Sequence, residues 1–351
     1  MKRIIFITVL LLVSLCSKAD KHRKIEKSFS SANMKEVMIE NSYGNIEVEQ
    51  WDKDEIEIKV DIRVDARSEK KVNDLLDKIH ISFIQKSNYL TVVTGFAENF
   101  SFKRFTNKIF SGGSLNIDYI VYLPKNIKLK LTNEKGNVSI GDFVGGLGVE
   151  IKNGDLELGK VLDDSSISVS FGKVNIDALG NSKCIFTNDK LVYIKKAEIL
   201  NIDSKHSFLN IESVKNLVIT ASRGDCTVKN VEKLRGSSSF TEFKIGDIGD
   251  ELVFDLWLGS MNIRNIHNMF SLVDLKSTRA RLGLTFMSGA AYDISIRHNK
   301  NVQFDLPAGI DVKKRNAAES NIFITEGKYG DVNKFKSKVN INASNCKLFI
   351  Q

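Results

Sequence analysis

The side chains able to do chemistry in this sequence are few and scattered. Arg223-Gly224-Asp225 sets opposite charges on either side of a glycine, a tripeptide that serves as an integrin ligand when an exposed loop displays it. Its glycine and aspartate share a register with Gly154-Asp155, so turn formation alone accounts for the pair. Asp203, His206 and Ser207 bring acid, base and hydroxyl close along the chain, but a catalytic triad is defined by geometry and roles, not by adjacency. The histidines, His22, His80, His206, His267 and His298, include no two at ligand spacing, and there is no CxxC or Cys/His pattern for zinc. The sequence therefore implies no metal site and no cofactor.

Phe100, Phe102, Lys103, Arg104, Phe105 and Lys108 lie within GFAENFSFKRFTNKIFSGG, residues 95–113. Aromatic rings among cations can enter a membrane interface or stack on sugars, and this is the candidate contact surface. The competing reading folds the same rings onto the neighbouring structure. Cys184 and Cys226 fall where other units carry Val, Leu or Ile, which marks them as small buried hydrophobes rather than disulfide partners. Cys346 falls near the last turn, where an accessible thiol is expected.

A backbone must position these groups, and its form is written in a repeat. NSYGNIEVEQW at 41–51 and NEKGNVSIGDF at 133–143 carry the same pattern 92 residues apart. From the second copy onward, one apolar column reads Val138, Leu156, Val174, Leu191, Leu209, Cys226, Phe243 and Met261, in steps of 17 or 18. Two residues on, Ile140, Leu158, Ile176, Tyr193, Ile211, Val228, Ile245 and Ile263 form a second column, with mostly polar residues between the two. This alternation has the period of a strand with one buried face and excludes helix. An upstream strand is given by Leu129, Leu147, Ser165, Ser182, Leu200, Leu217, Leu234 and Leu252, with a matching column two residues later. Phe143, Val161, Leu179, Val214, Val231, Ile248 and Ile266 close each unit, and only the unit near Ala197 blurs that column.

Between the strands, Gly136, Gly154, Gly172, Asp189, Ser207, Gly224, Thr241 and Gly259 mark a tight or left-handed turn. Units this short cannot bury a core alone, so they must stack at the ~4.8 Å strand spacing. The expected fold is all-β: a parallel β-helix-like solenoid of about ten coils, each of 17 or 18 residues. Val37, Ile39, Ile46, Val48 and Trp51 fit the columns as a first coil, and Val273, Leu275, Leu282, Leu284 and Met287 as a late one. Ile322/Ile324, Val339/Ile341 and Leu348/Ile350 predict further strands toward the end.

Residues 52–125 interrupt the stack as a small α+β insertion, suited to cap an open end. Within it, Val72, Leu75, Leu76 and Ile79 sit at i, i+3, i+4 and i+7, an amphipathic helix. The organisation is thus a signal peptide at 1–19, a strand and first coil at 20–51, the insertion at 52–125 and the main stack at 126–351.

Met1-Lys2-Arg3, an apolar run from Ile4 to Leu15 and Ser17-Lys18-Ala19 form a secretory leader with cleavage after Ala19. Leu15, larger than the residue that normally precedes a lipidated cysteine, argues against lipidation at Cys16. Cleavage removes Lys2, Arg3 and Lys18 and leaves a formal charge of +5. That charge is interspersed, without the Lys/Arg stripes that nucleic acid requires, but it permits loose attraction to anionic glycans or a peripheral membrane contact.

The column following the glycines reads Asn137, Asp155, Lys173, Lys190, Phe208, Asp225, Glu242 and Ser260, whose mixed charge speaks against a calcium ladder. The outward column Ser139, Glu157, Asn175, Val192, Asn210, Thr227, Lys244 and Asn262 holds no carboxylate cluster of the kind glycan-cleaving β-helices use.

NSYGNIEVEQWDKDEIEIKV, then a helix-containing segment, TVVT and a run of GN/GD units resemble an exported β-strand-repeat family known as putative adhesins, and are similar to auto-transporter adhesin head domains. The resemblance covers nearly the whole mature chain. It implies a β-helix-like fold and carries no catalytic residues. The expected function is a non-enzymatic, adhesin-like binding protein of the cell envelope or surface, with a surface, a glycan or an envelope protein as partner. An envelope scaffold or sensor component is the alternative, and a glycan-active enzyme the third reading.

Overall fold

The computed structural model describes residues 19–66, 68–97, 114–316, 321–331 and 337–351. Residues 1–18 of the leader expected at 1–19 lie outside them, as does the 98–113 segment with its candidate contact residues. All described strands belong to one hydrogen-bonded sheet, with a single helix.

The stack runs through β8 (Lys128–Glu134), β10 (Leu147–Lys152), β12 (Ser165–Ser170), β13 (Lys173–Thr187), β14 (Leu191–Lys205) and β15 (Phe208–Ile266). Each pairs in parallel with the next. Leu129, Leu147, Ser165, Ser182, Leu200 and Leu217 face one another in that order. The second strand of each rung does the same, Val138 on Leu156 on Val174. Within the long β15 the close approaches Gly236 to Ile219 and Gly246 to Lys229 carry the same stacking onward. Side chains 17 or 18 residues apart therefore share one dry interior, in which Leu129, Leu156, Leu200, Leu234 and Leu252 are fully buried.

The displaced copy takes its place in this ladder. β2 (Glu36–Ser42) lies between β8 and β6 (Tyr89–Phe96), with Val37 opposite both Leu129 and Leu90. β3 (Ile46–Trp51) lies between β9 (Val138–Ile140) and β7 (Ser114–Pro124). Strands of the insertion thus continue the ladder past the first coil and then turn antiparallel: β6 pairs with β5 (Ile79–Gln85), and β7 with β4 (Glu55–Ala66), which pairs in turn with β1 (Ala19–Ser30). The helix α1 (Glu69–Leu76) buries Val72 and Leu75 against β4 and β1. The Arg23 guanidinium donates to the carbonyl of Leu76, an acceptor that the helix end leaves open, and to that of Ile79 at the start of β5.

The other end follows the same logic. β21 (Ser337–Ser344) and β22 (Lys347–Ile350) slot between β16 (Leu272–Phe286) and the pair β17 (Tyr292–Asn299) and β18 (Gln303–Asp305). β20 (Ile322–Tyr329) then covers β17 in antiparallel fashion. Two strand edges that would invite another chain are occupied in this way.

A buried polar chain fastens the insertion to the stack. Tyr119 O–H and Thr94 Oγ1 are 2.7 Å apart, and Thr94 donates to Asn41 Oδ1 at 2.9 Å, so the tyrosine is the donor to the threonine. Asn41 donates to Ile117 O and to Asn133 Oδ1, and Asn133 donates to the carbonyls of Gly44 and Gly136. These asparagines occupy the inward position that Ile151, Val169 and Phe186 fill in the next rungs.

Four sequence expectations are corrected. Leu191 is exposed at 45%, while Val192 and Ile194 face inward against Val174 and Ile176. The extra residue of that rung falls at the turn, and one residue of slip exchanges the two faces, so Tyr193 rather than Val192 joins the outward column. Met287 is exposed and Phe286 takes its inward place. Trp51 leaves the core, stacks on Tyr122 at 5.0 Å and donates to Glu55 O. Cys346 is buried, and burial pushes its thiol pKa upward. Ala197 fills the column that looked blurred.

Asp189, in the glycine column, turns its carboxyl inward, where Gly172 and Thr187 donate backbone N–H bonds at 2.9 Å. Burial nonetheless pushes its pKa from 3.8 up to about 6. The raised value favours the protonated form in the fold, so this stabilisation is complete below about pH 4 and is lost as pH rises through about 6. The stability difference between the wild type and Asp189→Asn, measured by urea unfolding, is expected to fall across that window and be flat above it. Asn133→Ala, which strands buried carbonyls, is expected to lower stability by about 3 kcal/mol in the same measurement.

Candidate ligand-binding ridge

Eleven of the described rungs turn at one corner through a residue in the left-handed region. Tyr43, Lys135, Asn153, Phe171, Asn188, His206, Arg223, Phe240, Leu258, Arg279 and Asn345 all have φ between 50° and 69°. The glycine column is the next residue, so left-handed geometry is not what selects it. A Cβ on Gly154 would lie 1.9 Å from Gly136 O, and the column is small because successive rungs touch there. Where Ser207 and Thr241 replace glycine, the hydroxyl folds inward and donates to the carbonyl two residues back at 3.0 Å.

The residue after the glycine explains the GN/GD motif. Asp118 Oδ1 accepts the N–H of Asn45, Asn45 that of Asn137, Asn137 that of Asp155, and Asp155 that of Lys173, at 2.8–2.9 Å. Each side chain satisfies the backbone of the rung beside it, and the carboxylates so engaged serve the turn. Among the described residues no group of three or more His, Cys, Asp or Glu could hold a metal ion.

Five successive rungs from His206 to Arg279 carry a residue other than asparagine at this corner, as Tyr43, Lys135 and Phe171 do among the earlier rungs. Asparagine tolerates left-handed geometry best among residues with a side chain, and Asn153, Asn188 and Asn345 use it, yet Arg223, Phe240, Leu258 and Arg279 hold successive rungs between them. Each such residue costs roughly 1 kcal/mol relative to an easier conformation. The side chains they project form an outward ridge. The Arg223 guanidinium lies over the Phe240 ring at 5.6 Å, and the Phe240 and Trp257 rings meet at right angles with centroids 5.0 Å apart. Phe240 and Trp257 remain 48% and 43% exposed, and Phe171 and Phe208 on the same corner are also exposed.

Beside the ridge runs an open groove of about 700 Å³, reaching from Asp225 to Lys347 and lined by Phe240, Leu258, Arg279 and Arg281. Its carboxylates are Asp225 and Glu242, the latter paired with Lys244 at 3.1 Å. Arg223-Gly224-Asp225 lies on this corner: Gly224 is held by the close approach of Ser207 O, and the two charges point outward.

Other candidates separate. Ser207 is buried, accepting from Asp189 N–H and donating to Lys205 O, while Asp203 and His206 are exposed, so no nucleophile is assembled there. Burial pushes the Cys184 and Cys226 thiols up to about 12, far from thiolate chemistry at neutral pH. The ridge escaped the sequence reading because its residues precede the glycine column and share no residue type. Phe171→Asn, which keeps the turn and removes an exposed ring, is expected to raise stability by about 1 kcal/mol in chemical unfolding.

No protein-family model matches the chain, and no curated protein matches it. Solved structures similar to it include a putative cell adhesion protein from Clostridium sporogenes, at 10% identity over 94% of this chain and 99% of that one, with a TM-score of 0.21. A putative adhesin from Bacteroides fragilis matches at 16% identity over 69% of this chain and 97% of that one, TM-score 0.37. A putative lipid binding protein from Parabacteroides distasonis matches at 11% over 95% and 96%, TM-score 0.30. The chain is thus similar to structures described chiefly as putative adhesins.

Proposed function

We propose that this chain is an exported, adhesin-like binding protein of the cell envelope or surface, built as a β-solenoid and acting by presenting a long regular face rather than by catalysis. The observation that carries the reading is the ridge from His206 to Arg279. There the rungs spend conformational stability to hold large aromatic and cationic groups outward at one corner. Parallel pairing at steps of 17 or 18 supports the solenoid, because it repeats the same inward and outward positions rung after rung. The secretory leader supports export, and the antiparallel strands at 55–124 suit an end cap.

Fluorescently labelled chain 20–351 is expected to bind isolated cell envelopes or intact cells saturably. A variant with Phe208, Phe240 and Trp257 replaced by serine is expected to lose most of that binding while unfolding at a similar temperature. Absent binding by the wild type, or binding untouched by the triple substitution, contradicts the proposal. Capture of one envelope protein without retention on glycan favours the scaffold reading.

A further inference from the structure

We infer that the groove beside the ridge is a binding site for acidic oligosaccharides, with Arg279 and Arg281 reading the carboxylates and Phe240 with Leu258 forming the platform for the sugar rings. This deepens the adhesin-like reading and rests on it. Three features converge. First, the groove brings the cations Arg279, Arg281 and Lys347 together with only the carboxylates Asp225 and Glu242, and Glu242 already has a lysine partner. Among the described residues neither Arg279 nor Arg281 makes an ion pair, so both guanidinium forks are open to a bidentate anion.

Second, the apolar floor is exposed. Phe240 packs against the Arg223 guanidinium and, at right angles, against Trp257, and its exposed part offers the groove an apolar contact for the C–H groups of a pyranose. Flanking hydroxyl ligands are at hand, because Asp225, Ser260 and Asn345 line the same groove. Third, the dimensions agree. The groove crosses five rungs, from residue 225 to 347, or roughly 19 Å at the ~4.8 Å strand spacing. A linked pyranose chain advances by close to one rung per sugar, so repeated rungs meet repeated sugars in register. Acidic peptides offer the charge without a face to stack, which is why a glycan is the better occupant.

The test uses chain 20–351 carrying Trp51→Phe, which leaves Trp257 as its sole tryptophan and a fluorescent reporter beside the groove. Titration with hexagalacturonate is expected to change the Trp257 emission saturably and to weaken as salt rises. Maltohexaose, its neutral counterpart, is expected to bind at least tenfold more weakly, as is hexaglutamate. Arg279→Gln with Arg281→Gln is expected to weaken hexagalacturonate at least tenfold. Phe240→Asn is expected to do the same without lowering the melting temperature, since asparagine suits that backbone better than phenylalanine.

No saturable response to hexagalacturonate, equal binding of maltohexaose, stronger binding of hexaglutamate, or full affinity in the double-arginine variant would each overturn the inference. Envelope binding by the wild type that survives the double-arginine substitution would sink this site and leave the adhesin-like reading standing. Absence of envelope binding altogether would remove that reading instead.

Discussion

In-register hydrogen bonding between rungs is the constraint on which the molecule depends. A rung of 17 or 18 residues has too few inward side chains to be stable alone, and it acquires a core only when its neighbours present the same columns. The pairings Leu129 to Leu147 to Ser165 to Ser182 show how strict that is, since any single slip would send a row of aliphatic groups to water. The turn chemistry serves this requirement. The ladder from Asp118 through Asn45, Asn137 and Asp155 to Lys173 binds rung to rung at the corner, and the glycines beside it allow backbones to touch.

Much of this was legible in the sequence. The 92-residue displacement between NSYGNIEVEQW and NEKGNVSIGDF corresponds to Val37 facing Leu129 and Ile46 facing Val138, because period-two apolar patterning sets both strand type and register. The strands of 52–125 also appear as the pattern implies, whereas the helix holds Val72, Leu75 and Leu76 but stops short of Ile79, which opens β5. Failures cluster where a rung changes length. The extra residue near Lys190 reverses Leu191 and Tyr193, and the register shift between Ile263 and Ile266, which sets Ile266 opposite Phe286, displaces Met287. An apolar column can be traced past such a point by choosing the wrong neighbour, since Leu191 and Val192 are both acceptable in composition.

The surface was far less legible than the core. Core positions repeat residue type, whereas the ridge repeats only a backbone conformation, filled by histidine, arginine, phenylalanine, leucine and arginine in turn. Arg223-Gly224-Asp225 attracted notice as a motif, yet its meaning changes once Phe240 is seen beneath Arg223 and Gly224 under Ser207 O. The turn ladder likewise explains why Asn and Asp follow glycine in the early rungs, where composition alone suggested a failed calcium ladder. A scaffold specified by periodic core positions leaves its corners free to vary, and variation there is the route by which such a fold acquires a ligand.

Pulsed electron spin resonance across the outward column tests the stacking most directly. Spin labels at Ser139→Cys and Asn262→Cys sit seven rung steps apart, and the buried native thiols Cys184, Cys226 and Cys346 should stay unlabelled. The stack requires a single distance near 34 Å, at about 4.8 Å per step, shortening in proportion as the second label moves to Lys244 or Thr227. A distance that does not scale with rung number, or a broad distribution, would contradict the account.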